Sequence, residues 1–146
     1  MAPSVATGEQ LPPITKQPNE VDLFLFSAAV WNSHRIHYER EYARAEGHRD
    51  IVVQGSLQAN WLVEAMLSWS PGSTLLAFSF RNTSTAYVNE TFVIGGRIAE
   101  VRHEPGGVHV VVDLQVEGPS GVTTVGRGTL RLARDGADDG SSGTGS

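Results

Sequence analysis

Residues 56–69, Ser-Leu-Gln-Ala-Asn-Trp-Leu-Val-Glu-Ala-Met-Leu-Ser-Trp, decide the fold of this chain. Leu57, Trp61, Leu62, Ala65, Met66 and Trp69 recur at the intervals of one helical face. Ala59, Val63 and Leu67 fill most other directions. A helix apolar on nearly every side is buried rather than laid on a surface. Ser56 is placed to act as its N-cap, and Pro71-Gly72 stops it. Downstream the apolar period falls to two, and residues 74–83, 91–103, 107–117 and 121–132 read as strands. Val108, Val110, Val112, Leu114 and Val116 share one face of the third. Glu104-Pro105-Gly106-Gly107 and Gly118-Pro119-Ser120-Gly121 are turns tight enough to make neighbouring strands antiparallel. One buried helix followed by such strands is α+β, and its simplest packing is a curved sheet wrapped around the helix.

Composition sets the bounds around this centre. A chain of 146 residues, 40% hydrophobic and 18% charged, fits one domain with a real core. We expect an extended arm over residues 1–20, where Pro3, Pro12, Pro13 and Pro18 interrupt any periodicity, and a single domain over 21–134. Residues 135–146 (DGADDGSSGTGS) offer nothing to bury and are expected to be disordered. Cysteine is absent, which removes disulfides, thiolate metal sites and cysteine nucleophiles. The net charge of −5 and a single lysine, Lys16, give no basic stripe for nucleic acid. No apolar run suits a membrane helix and no secretory signal is apparent, so a cytoplasmic location is the expectation.

Upstream of the helix the chemistry concentrates. An apolar run over 22–31 leads into Trp31-Asn32-Ser33-His34-Arg35-Ile36-His37-Tyr38. Histidine exchanges a proton near neutral pH without special tuning, so His37, with His34 and Asn32 beside it, is a candidate acid–base centre. Each also has a plainer reading: His37 as a buried hydrogen-bonding ring, His34 as a packing residue, Asn32 as a turn former. His34-x-x-His37 lacks a third ligand at recognisable spacing, and no metal site is expected. Tyr38–Glu46 reads as a short exposed helix ended by Gly47. Val52-Val53-Gln54-Gly55-Ser56 leads into the central helix.

These segments together resemble the hot-dog fold, and within it the MaoC-like hydratases and dehydratases. That family carries Asp-x-Asn-Pro-x-His near its N-terminus. Here Asn32 takes the Asp position, His34 the Asn, Arg35 the Pro and His37 the His. The wording Asn-x-His-Arg-Ile-His-Tyr is similar to the type 2 hydroxyacyl-thioester dehydratases and mesaconyl-CoA hydratase-like proteins. Val52-Val53-Gln54-Gly55-Ser56-Leu57 resembles that subgroup's Val-Val-His-Gly-Pro-Leu, and Phe80-Arg81 through Glu90-Thr91-Phe92 its Phe-Arg…Gly-Glu-Pro-Phe. Asn32 departs from the wider family's carboxylate, Gln54 replaces a His, and Thr85 stands where the subgroup often has Pro.

The resemblance implies interconversion of an enoyl thioester and an (R)-3-hydroxyacyl thioester, carried on CoA or on an acyl carrier protein. His37 would be the acid–base residue, Asn32 would orient the water, and His34 would hold the His37 tautomer or line the pocket. A backbone N–H of Gly55 or Ser56 would stabilise the enolate, with Gln54 and Arg81 as further substrate-binding candidates. No cofactor is implied beyond the carried phosphopantetheine, and a dimer is expected, either a homodimer or a heterodimer with a related hot-dog subunit. Two other functions stay open: a non-catalytic partner subunit, and a different reaction on an acyl or polyketide thioester. Hydrolysis would draw on Glu64, the only acid of the central helix.

Overall fold

The computed structural model describes residues 4–134. In chain order the elements are β1 (Ile14–Lys16), α1 (Glu20–Ala29), a 3-10 turn (Arg35–His37), α2 (Arg40–Ala45), α3 (Gly55–Trp69), β2 (Thr74–Asn82), β3 (Phe92–Glu104), β4 (Gly107–Gly118) and β5 (Gly121–Arg131). The strands form one five-stranded sheet in the order β1-β3-β4-β5-β2, antiparallel at every pairing. The α+β hot-dog architecture expected from the sequence is the one observed, with strand ends within one residue of expectation.

Sheet and helix meet through complementary relief. Leu62, Ala65 and Met66 of α3 are buried against Ile94, Ile98, Val110, Val112 and Leu130, and the Trp61 and Phe92 rings pack 5.6 Å apart. Each large apolar side chain so buried contributes about 1.5–3 kcal/mol. The approach requires bare backbone on β5. A Cβ on Gly126 would fall 2.8 Å from Leu62 Cδ1, and one on Gly128 2.4 Å from Met66 Sδ.

Three expectations are corrected. Ser56 is not the N-cap of α3: the helix begins at Gly55, Gln54 occupies the cap and makes no side-chain capping bond, and Ser56 is exposed. The helix is not buried on all sides either, because the sheet covers only one side and leaves Asn60, Glu64 and Leu67 exposed. The helix expected over 38–46 shortens to α2, preceded by the 3-10 turn. The apolar run at 22–31 becomes α1, started by a reciprocal capping box between Asn19 and Asp22.

The described part of the N-terminal segment runs extended beside β3. Gly8 N–H bonds to Ile98 O at 2.8 Å and Leu11 N–H to Gly96 O at 2.9 Å, while Leu11 itself is buried. The expected disordered tail at 135–146 lies outside the described residues.

Candidate active site

The loop leaving α1 is shaped by its own side chains. Trp31 adopts a left-handed backbone conformation, φ 55°, and the Asn32 N–H bonds back to Ser27 O at 2.9 Å. Asn32 Oδ1 accepts the His34 N–H at 3.2 Å, and His34 Nδ1 accepts the Ile36 N–H at 3.3 Å. Such local side chain-to-backbone bonds replace the helical ladder and bend the chain. Tyr38 OH closes the loop on Ser33 O at 2.8 Å. Within the 3-10 turn that results, His37 is the buried side chain.

His37 is only 7% exposed, and its Nδ1 lies 2.7 Å from the Val52 carbonyl oxygen. A carbonyl can only accept, so the proton of the neutral ring sits on Nδ1 and Nε2 keeps its lone pair. The Val52 N–H donates to Ile36 O at 2.9 Å, so both backbone polar groups of Val52 secure the turn. Val53 N–H to Ala86 O and Val88 N–H to Ile51 O, at 2.8 and 3.0 Å, secure the segment around Val52 in turn. Burial pushes the imidazole below its usual 6.5, against the Val52 hydrogen bond; His34 and His48 nearby lower it further. The ring is therefore neutral at pH 7 and able to act as a base.

Three residues beyond Val52, α3 begins. Three residues span at most about 11 Å, so the imidazole and the start of α3 share one corner of the molecule. Gln54 is buried, and its Nε2 donates to Leu23 O at 2.7 Å and to Ser27 Oγ at 2.9 Å. With its side chain bolting α1 in place, Gln54 leaves the first turn uncapped. The N–H groups of Gly55 and Ser56 thus lie at the donor end and positive pole of a 15-residue helix. Gln54 Oε1 is buried without a hydrogen-bond partner.

The last residue of β2 also reaches this corner. A Cβ built on Gly55 would fall 2.0 Å from Asn82 Nδ2, so that carboxamide occupies the space a side chain at 55 would need. Asn82 Oδ1 accepts from Thr124 Oγ1 at 2.9 Å. Thr124 Oγ1 lies equally 2.9 Å from Gln58 Oε1, which takes a 2.6 Å bond from Thr123 Oγ1.

The sequence candidates divide accordingly. Gln54, Gly55 and Ser56 form the start of α3, and His37 is tied to Val52, three residues before Gly55. Asn32 borders an apolar groove of about 340 Å³ whose walls include Phe24, Ala28, Trp31 and Tyr38. His34 is exposed, with its ring centre 6.0 Å from that of His37; the Val52 carbonyl, not His34, fixes the His37 tautomer. Arg81 is not part of the cluster. Strand alternation that turns Asn82 toward Gly55 turns Arg81 to the other face, where it borders a groove with Asp113, Val125 and Arg127. Asn82 was not legible in the sequence, because a lone Asn at a strand end carries no pattern. Among the described residues no three His, Cys, Asp or Glu side chains gather to hold a metal.

Residues 4–88, more than half of the chain, match the sequence profile described as hydroxyacyl-thioester dehydratase type 2. The chain belongs to the type 2 hydroxyacyl-thioester dehydratase family. This dehydratase-family chain is 34% identical over 126 residues to mesaconyl-C(4)-CoA hydratase of Chloroflexus aurantiacus, covering 82% of itself and 41% of that protein. It spans less than half the length of the curated relatives it matches. Its fold superposes on the (R)-hydratase from A. caviae involved in PHA biosynthesis with a TM-score of 0.84 at 16% identity, covering 90% of this chain and all of that one. The ChsH1-ChsH2 complex from Mycobacterium tuberculosis gives 0.81 at 17% identity, covering 89% and all of the matched chain. These structural likenesses establish the hot-dog fold.

Proposed function

We propose that this dehydratase-family chain interconverts an enoyl thioester and a 3-hydroxyacyl thioester, with His37 as the single acid–base residue. The observation that carries the reading is the Val52 carbonyl on His37 Nδ1, which leaves Nε2 free as a base. In the hydration direction Nε2 takes a proton from water while the water oxygen bonds to the β-carbon. The alkene electron pair shifts onto the thioester oxygen, giving an enolate held by backbone N–H groups at the start of α3. The imidazolium then returns its proton to the α-carbon, and the enolate collapses to the saturated thioester. Asn32 Oδ1, with a lone pair beyond the one His34 N–H uses, would orient the water. The reaction is proton transfer plus charge stabilisation and calls for no resident cofactor; the acyl group would arrive on CoA or on the phosphopantetheine of a carrier protein. The substrate class is supported by the relatives named as a CoA hydratase and a hydroxyacyl-thioester dehydratase.

Thioester hydrolysis is less well supported. Glu64, the acid it would need, is spent on an ion pair with Lys16 at 2.9 Å on the outward side of α3. A non-catalytic partner subunit remains the second reading, since Asn32 stands where the wider family has a carboxylate. The test is turnover of the purified chain on crotonyl- to long-chain enoyl-CoA, beside His37→Ala. We expect hydration by the wild-type chain and a loss of about 10²–10⁴-fold in the variant. Full activity in His37→Ala, or none in the wild type across the panel, would overturn the proposal.

A further inference from the structure

We propose that Asn82 is a second hydrogen-bond donor to the thioester oxygen, converging on it with the first N–H groups of α3; this rests on the hydratase reading above. Neither strand periodicity nor the family motif marks this residue, yet its carboxamide occupies the side-chain space of Gly55. Cβ, had residue 55 one, would lie 2.0 Å from Asn82 Nδ2, 2.8 Å from Cγ and 3.1 Å from Oδ1. The amide nitrogen is therefore the atom nearest the helix start. Thr124 Oγ1 lies 2.9 Å from Oδ1 and equally 2.9 Å from Gln58 Oε1, so its single hydrogen is shared between two acceptors, and the Nδ2 end of the carboxamide is the end toward Gly55. Thr124 is fully buried, so this contact sits on rigid core rather than on a loop. Among the described residues Nδ2 donates to no protein acceptor, and Asn82 is exposed, so the NH₂ group is reachable by a ligand.

Gln54, at the adjoining N-cap, does not compete for this space, because its amide faces Leu23 and Ser27 of α1. A helix N-terminus gives one or two N–H groups to an oxyanion. A side-chain amide beside them adds a donor from a different direction, which an enolate oxygen with several lone-pair positions can use. The arrangement also explains Gly55. The residue has no positive φ to demand glycine, and a side chain there would have to push the Asn82 carboxamide aside.

The decisive variant is Asn82→Asp. It keeps the shape and an oxygen for Thr124 but replaces the NH₂ donor by an acceptor. Against a purified wild-type chain that hydrates enoyl-CoA, we expect kcat to fall about 10²–10³-fold with KM changed far less, and thermal unfolding to be nearly unaltered. Asn82→Ala should show the same split. Gly55→Ala alone should lose activity by displacing Asn82, but should cost little more when placed in the Asn82→Ala background. A second readout separates this proposal from the hydratase reading: the absorbance red shift of a cinnamoyl-CoA bound to the protein reports polarisation of its carbonyl. We expect the shift in the wild type and its loss in Asn82→Asp. If the wild type turns over enoyl-CoA and Asn82→Asp keeps both kcat and red shift, Asn82 is not a donor. If the wild type turns over nothing, the hydratase reading falls, and a red shift that survives in Asn82→Asp overturns this inference on its own.

Discussion

At the scale of single residues, the free nitrogen of His37 sets the pH behaviour. Burial lowers this imidazole below 6.5, so the base form persists into mildly acid solution. We expect kcat/KM for hydration to rise with pH along a one-proton limb whose midpoint lies below 6.5; a midpoint at or above that value would contradict a buried, Val52-bonded base. The same burial links pH to stability. With the folded-state value depressed, the unfolded chain takes up the proton first as pH falls. His37's contribution is thus whole above 6.5 and declines as pH drops toward its folded value. Urea unfolding of the wild type and of His37→Gln should therefore diverge between about pH 7 and 5, with the wild type losing more. His37 was legible as a candidate from its neighbours in sequence. Its tautomer was not, because the carbonyl that fixes it lies 15 residues away at Val52.

At the scale of elements, α3 owes its position to absences on β5. Gly128 and Gly126 let Met66 and Leu62 reach the sheet. Gly128→Ala should cost about 1–3 kcal/mol by overpacking, read as a lower urea midpoint with an unchanged slope. A destabilisation under about 0.5 kcal/mol would mean that Met66 has room to move aside. The start of α3 shows a second element-level device. Gln54 fills the cap position but sends its amide to α1, which couples two helices and leaves the first turn without a side-chain cap. Sequence reasoning placed Ser56 at the cap by local preference. The cap instead falls two residues earlier, at Gln54, whose side chain bonds across 27–31 residues rather than along the chain.

For the whole molecule, α1, together with Trp31, carries the most exposed of the large apolar side chains. Leu23 and Ser27 are its only buried residues, while Val21, Phe24, Leu25 and the adjoining Trp31 are 63%, 55%, 58% and 94% exposed. An apolar face of this kind marks an interaction surface. The curated relatives are more than twice as long as the segment they share with this chain. We expect sedimentation at micromolar concentration to show a dimer, of this chain with itself or with a related hot-dog subunit added to it. Phe24→Asp should shift it to monomer while the far-ultraviolet circular dichroism stays the same; a monomeric wild type that no such subunit shifts would refute the expectation.

The sequence by itself determined the central helix, the strands and their hairpins, because each is written in periodicity or spacing over a few neighbouring residues, while the stretch around His37 carried a family resemblance. Only the tertiary structure decided which strand side chain reaches the start of α3. It put Asn82 there and turned Arg81 away, a choice set by register between β2 and β5. Pairing register depends on contacts between residues some 40 positions apart, and local pattern carries no record of it.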